Sequence, residues 1–242
     1  MTKQTQNSEE RVYEGVLEDE EEQQGKKILY AVETILDSNQ NIRKRAQKAL
    51  ERYAKLEPRK QRDKAAARII AYYSNLSASS GVVTTLPSLV PGIGALFTIF
   101  GGGIMDAVMV LKCEVEMALC LASLYGYDIE EDAERTRAFL MTSAALEGTK
   151  ASESRSESLL RVVDLAVNEY STRQLSKMML KIIGRAGLTM SSKRLLRLMP
   201  VVGMAVGGGV NKVLTQRTGK RCKYALDVRR ANDDAKEAKE AK

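Results

Sequence analysis

Two stretches of this chain are apolar, free of charge up to their last residue, crowded with glycine, and alike in layout. Residues 89–106 read LVPGIGALFTIFGGGIMD and residues 198–211 read LMPVVGMAVGGGVN. Each carries a proline (Pro91, Pro200), a glycine three residues later (Gly94, Gly203) and then a triple glycine (Gly101, Gly102 and Gly103; Gly207, Gly208 and Gly209). Each ends in a polar residue, Asp106 or Asn211. Glycine costs a solvated helix about 1 kcal/mol per residue relative to alanine. The compensating gain is close approach of two backbones, as in the small-xxx-small contacts favoured in membranes. The expectation is therefore an all-α helical bundle in which two Pro/Gly-rich apolar hairpin segments pack together. Gly94, Leu96, Phe97, Phe100, Gly101, Gly102 and Gly103 would form one side of that contact, and Gly203, Gly207, Gly208 and Gly209 the other.

Charge is distributed unevenly. Residues 1–24 hold eight acids against Lys3 and Arg11, and read as a disordered acidic tail. Residues 170–226 hold twelve bases and no acid. Such a stretch calls for an anionic counterpart in the protein or on a surface. Single-strand nucleic-acid binders interleave bases with aromatics, and here only Tyr170 and Tyr224 are aromatic. No DNA- or RNA-binding motif is present. Anionic lipid is the expected partner and nucleic acid is not; a protein partner stays open, and no small-molecule substrate is identified. The candidate surface residues are Lys193, Arg194, Arg197, Lys212, Arg217, Lys220 and Arg221.

The composition excludes much else. The chain has no histidine, which removes His-based acid–base catalysis and most catalytic zinc sites. Neither triple glycine is followed by Lys-Ser or Lys-Thr, so no phosphate loop is expected. No cofactor and no metal site are expected. Cys113, Cys120 and Cys222 form no CxxC and read as buried reduced thiols. Residues 1–24 contain no apolar signal-peptide core, which suggests a protein of the cytoplasm or of the inner membrane's cytoplasmic face, peripheral or hairpin-inserted. Mean hydropathy is −0.27, against a multispan membrane protein.

Helical periodicity dominates the remainder. A first helix from Lys26 carries Ile28, Val32 and Ile35 on one face, and residues 37–41 stop or restart it. Ile42, Ala46, Ala49 and Tyr53 mark a second helix. Pro58 suits the first turn of a third, with Ala65, Ala66, Ile69 and Tyr73 on one face and Arg59, Lys60, Arg62, Lys64 and Arg68 on the other. Ser77 to Gly81 read as a break. A strong helix is expected from about Ile104 to Tyr125, ended by Gly126, with Glu114 and Glu116 facing solvent or the basic helices. Asp128 to Asp132 open the next helix with acids in its first turn. A basic helix is expected to end near Val228. The domain plan is an acidic tail over 1–24, one helical domain over 25–228, and a charged tail over 229–242.

Gly103-Ile104-Met105-Asp106, with Tyr125-Gly126-Tyr127-Asp128 beginning nineteen residues after Asp106, resembles the EcsC family. Pro200-Val201-Val202-Gly203, with Gly207 and Asn211, is similar to that family's C-terminal segment. The resemblance covers roughly residues 65–226. Val108 stands where members often have Pro, and Glu116 near where they often have Arg. The resemblance implies a bacterial, helical, membrane-linked accessory protein, the family being named for an ABC-transporter operon. It supplies no catalytic residues. Asp106 and Asn211 are the candidate buried polar residues, Asp106 as a helix-start residue, a partner for a base such as Lys212, or a functional acid. The alternatives to a membrane protein are a soluble bundle with a hydrophobic binding core and, third, a hydrolase using Asp106 with Ser88 or Thr98.

Overall fold

The computed structural model describes residues 23, 25–83, 102–147 and 203–240. Every element among them is a helix, so the chain is an all-α bundle. The hairpin residues Gly94, Leu96, Phe97, Phe100 and Gly101, and the bases Lys193, Arg194 and Arg197, lie outside the described residues.

Helix α1 spans 25–35 and buries Ile28, Ala31, Val32 and Ile35. Helix α2, Asn39–Glu51, starts where the Ser38 hydroxyl accepts the Asn41 N–H at 3.3 Å. Such a cap satisfies one of the donors a helix start leaves without an intrahelical partner. Ile42, Ala46 and Ala49 form its buried stripe. Helix α3, Pro58–Val83, has its proline at the first position, where no backbone donor is needed. It runs unbroken through Ser77 to Gly81, contrary to the expected interruption. Its mid-helix serines are satisfied locally and across the bundle: Ser74 donates to the Ile70 carbonyl at 2.6 Å, and Ser77 meets Thr215.

Helix α4, Gly102–Leu124, is the axis of the bundle and touches α2, α3, helix α5 (Asp132–Glu147) and helix α6 (Gly203–Glu240). A helix surrounded in this way must be apolar nearly all round. From Val108 to Leu124 only Lys112 and Ser123 escape burial. Glu114 and Glu116 are therefore inside, at 0% and 1% exposure: of the two surroundings expected for them solvent is excluded, while Glu114 does face the basic helix α6. Gly126 ends α4 with φ at +90°, a conformation that glycine adopts without Cβ strain.

Helix α6 packs most extensively on α3 and also meets α4 and α5. It continues through Val228 to Glu240 without a stop. Its buried stripe is Thr215, Thr218, Gly219, Cys222, Ala225 and Leu226. These residues are small for five of six positions, which lets α6 lie close against its neighbours.

Candidate functional site

The chemistry of the interior is concentrated where α6 lies across α3 and α4. The Thr218 hydroxyl of α6 donates to Glu114 Oε1 of α4 at 3.1 Å. One turn earlier, the Thr215 hydroxyl donates to Ser77 Oγ of α3 at 3.0 Å. Glu114 Oε2 is buried without a hydrogen-bond partner among the described residues. Burial pushes the Glu114 carboxyl up to about 8, the hydrogen bond from Thr218 holding back only part of that rise. Near neutral pH this is a neutral carboxylic acid inside an apolar seam. Burial likewise raises the Cys222 thiol to about 12, with Glu114 adding to the rise. A thiol so rarely ionised is a packing residue and not a nucleophile. Cys113 and Cys120, each raised to about 12 by burial, match the expectation of buried thiols.

The second buried acid of α4 has a different environment. Glu116 Oε1 receives the Lys112 ammonium at 2.8 Å and the backbone N–H of Asp37 at 2.6 Å. Asp37 holds its own carboxylate below the usual range. Burial works against this, but hydrogen bonds from Asn41, Arg45 and the Ser38 N–H outweigh it. Arg45 also donates to the Tyr73 hydroxyl at 2.6 Å. These contacts join the α1–α2 corner to α3 and α4.

On both sides of Gly126 the chain forms a clasp on α6. Tyr125 donates its hydroxyl to Asp227 at 2.6 Å and Tyr127 donates to Asp233 at 2.9 Å. Arg229 lies 3.7 Å over the Tyr127 ring and donates twice to the buried Glu134 carboxylate of α5. Asp128 and Glu130 both pair with Arg43 of α2. The Tyr-Gly-Tyr-Asp run thus works as a turn with three outward grips, holding residues as far along α6 as Asp233.

The expected site residues are distributed as follows. Gly102 and Gly103 begin α4, and Asp106 sits in its opening turns, with a side chain outside the described residues. Gly203, Gly207, Gly208 and Gly209 are helical and form the opening turns of α6. A Cβ built on Gly209 would have nothing within 4 Å. Of the three glycines whose surroundings are described, Gly219 sits in close contact: a Cβ there would lie 2.8 Å from Ile70 Cγ1 and 2.8 Å from Met117 Sδ. Asn211 is half-buried, while Lys212, Arg217 and Lys220 are exposed. Arg221 is half-buried and engaged. Lys223 bridges Asp63 of α3 and Asp227, both at 2.7 Å, so part of the acid-free run is neutralised within the protein. Gly219, Glu114, Glu134 and the basic wall of α2 were not singled out as site residues by sequence. Their only signal was charge or glycine inside a helical period, which does not reveal what lies opposite.

These features define an all-α bundle locked around buried carboxylates, without a group of three or more potential metal-ligating His, Cys, Asp or Glu side chains among the described residues. The chain belongs to the EcsC protein family, whose model matches residues 1–230. No curated protein and no solved structure matches it. The family match takes in the first helices as well as the region from residue 65 onward.

Proposed function

We propose that this EcsC family chain is a non-enzymatic accessory protein that attaches to the cytoplasmic face of a membrane through the outward side of α6. The observation that carries this is the composition of that side. Between Gly209 and Tyr224 it presents Lys212, Arg217 and Lys220 together with Val213 and Tyr224, which are 46% and 41% exposed, and contains no acid. None of these three bases makes an ion pair among the described residues. Basic and apolar groups sharing one helix face suit the headgroup boundary of an anionic leaflet, where electrostatic and apolar terms act together. No described helix is long and apolar enough to cross a membrane. The mode proposed for α6 is attachment along the surface.

Flotation with phosphatidylglycerol vesicles and with neutral phosphatidylcholine vesicles tests the proposal. The purified protein is expected to float with the first and not with the second. The triple change Lys212→Gln, Arg217→Gln and Lys220→Gln should weaken flotation by about 3 kcal/mol, at about 1 kcal/mol for each base near the surface. Equal recovery with both lipids, or no effect of the triple change, would dispose of it.

A further inference from the structure

Between α2 and α3 runs a groove of about 1120 Å³ whose walls carry five bases: Lys44 and Lys48 on α2, Arg52 at its C-terminal cap, and Lys64 and Arg68 on α3. On each helix the bases stand four residues apart, so they form two like-charge ladders facing one space. Like charges at that spacing repel and destabilise a helix. Several bases outside the groove are paired: Arg43 with Asp128 and Glu130, Lys60 with Glu57, and Lys223 with Asp63. None of the five ladder side chains has an ion pair or side-chain hydrogen bond among the described residues. Glu51, the one acid on the α2 wall, takes its hydrogen bond from Gln47 at 2.9 Å.

A sixth base, Arg45, also lines the groove and is fixed in place. It donates to the Tyr73 hydroxyl and to Asp37, and its guanidinium lies 5.1 Å over the ring of Tyr72, which is 47% exposed. Six cations against the two carboxylates Asp37 and Glu51 leave a net of four positive charges on the lining. A concave surface of one sign between low-dielectric helices focuses its potential on whatever enters.

From this geometry we infer that the α2–α3 groove is a binding site for a multiply charged phosphate ester, either a soluble organic phosphate or a phosphomonoester headgroup. Lys44, Lys48 and Arg52 would meet its phosphates from one side and Lys64 and Arg68 from the other, with Arg45 as the preorganised guanidinium. The site belongs to α2 and α3 and does not depend on the membrane role of α6.

The test titrates the full chain with inorganic tripolyphosphate by calorimetry, and separately floats it with phosphatidylcholine vesicles containing phosphatidic acid. The variant Lys48→Glu with Arg68→Glu reverses one exposed base on each wall. The variant Lys236→Glu with Lys239→Glu makes the same change in net charge at exposed positions near the end of α6. Saturable tripolyphosphate binding is expected, weakened at least about tenfold by the groove variant and left intact by the α6-end variant. Groove-dependent flotation without tripolyphosphate binding would assign the headgroup as the source and keep the site. Binding lowered equally by both variants would reduce the effect to net charge and overturn it. So would an absence of groove-dependent binding in both arms.

Discussion

The Arg229 guanidinium of α6 holds the Glu134 carboxylate of α5 through two N–H donors, at 2.9 and 2.7 Å. Glu134 is 4% exposed, so its charge is tolerable only while it is paired. Arg137 supplies a third bond at 2.6 Å from the same helix. Removing Arg229 therefore weakens a buried carboxylate's pairing without abolishing it. Arg229→Ala should destabilise the protein by about 3 kcal/mol, the lower end for breaking a buried pair. Arg229→Lys should recover only part of this, because a point charge cannot reproduce the two-pronged contact. Urea denaturation of the three proteins checks the order.

The Glu114 carboxyl makes stability depend on pH in an unusual direction. Its folded value of about 8 lies above the ordinary 4.5. Between those values the folded protein keeps a proton that the unfolded chain has released. The folded state thus binds more protons, and raising the pH favours unfolding. The contribution is greatest below about 4.5, and is lost at up to about 1.4 kcal/mol per pH unit as the pH rises toward 8. Glu114→Gln keeps an oxygen for the Thr218 donor and removes the titration. Urea midpoints measured from pH 5 to 8.5 should fall with pH in the parent and fall distinctly less in the variant.

Two glycines of α6 should respond oppositely to the same change. Gly209 is helical, exposed and has open space around its missing Cβ, so Gly209→Ala should stabilise by about 1 kcal/mol through helix propensity alone. At Gly219 the new methyl would meet Ile70 Cγ1 at 2.8 Å, and Ile70 is itself 7% exposed with little room to yield. Overpacking of about 1–3 kcal/mol there outweighs the propensity gain, so Gly219→Ala should be destabilising. Thermal unfolding of the two single variants gives the comparison directly. Stabilisation at Gly219 would mean that α6 does not approach α3 and α4 as closely as described.

The periodicity of apolar residues made α2, α3 and α4 legible, as did the local stops at Pro58 and Gly126, because these signals act within one helix. Burial of Glu114 and Glu116 was harder to see. A charged residue beside Val115 reads as an outward position unless the helix is known to be enclosed on every side. The clue was the apolar run around them, which leaves α4 no solvent face. The glycine-rich opening of α6 drew attention from Gly219, a lone glycine among polar residues, although close contact is described at Gly219 and open space at Gly209. The basic face of α3 could be read along the chain. Its meeting with the ladder of α2 could not, because that depends on how two antiparallel neighbours are turned against each other.

Attachment of α6 to a membrane, if it combines charge with apolar contact, should separate under salt. At 1 M salt the Debye length is about 3 Å, against about 10 Å at 0.1 M, so the contribution of Lys212, Arg217 and Lys220 should be largely screened. The exposed ring of Tyr224 and the side chain of Val213 do not depend on ionic strength in this way. The double change Tyr224→Ala with Val213→Ser should therefore lower flotation with phosphatidylglycerol vesicles by a similar factor at both salt concentrations. The triple glutamine variant should lose most at 0.1 M and little at 1 M. A parent protein stripped completely by 1 M salt, with the apolar double variant indistinguishable from it at 0.1 M, would leave charge as the whole of the attachment. Co-sedimentation across a salt series with the three proteins distinguishes the two contributions.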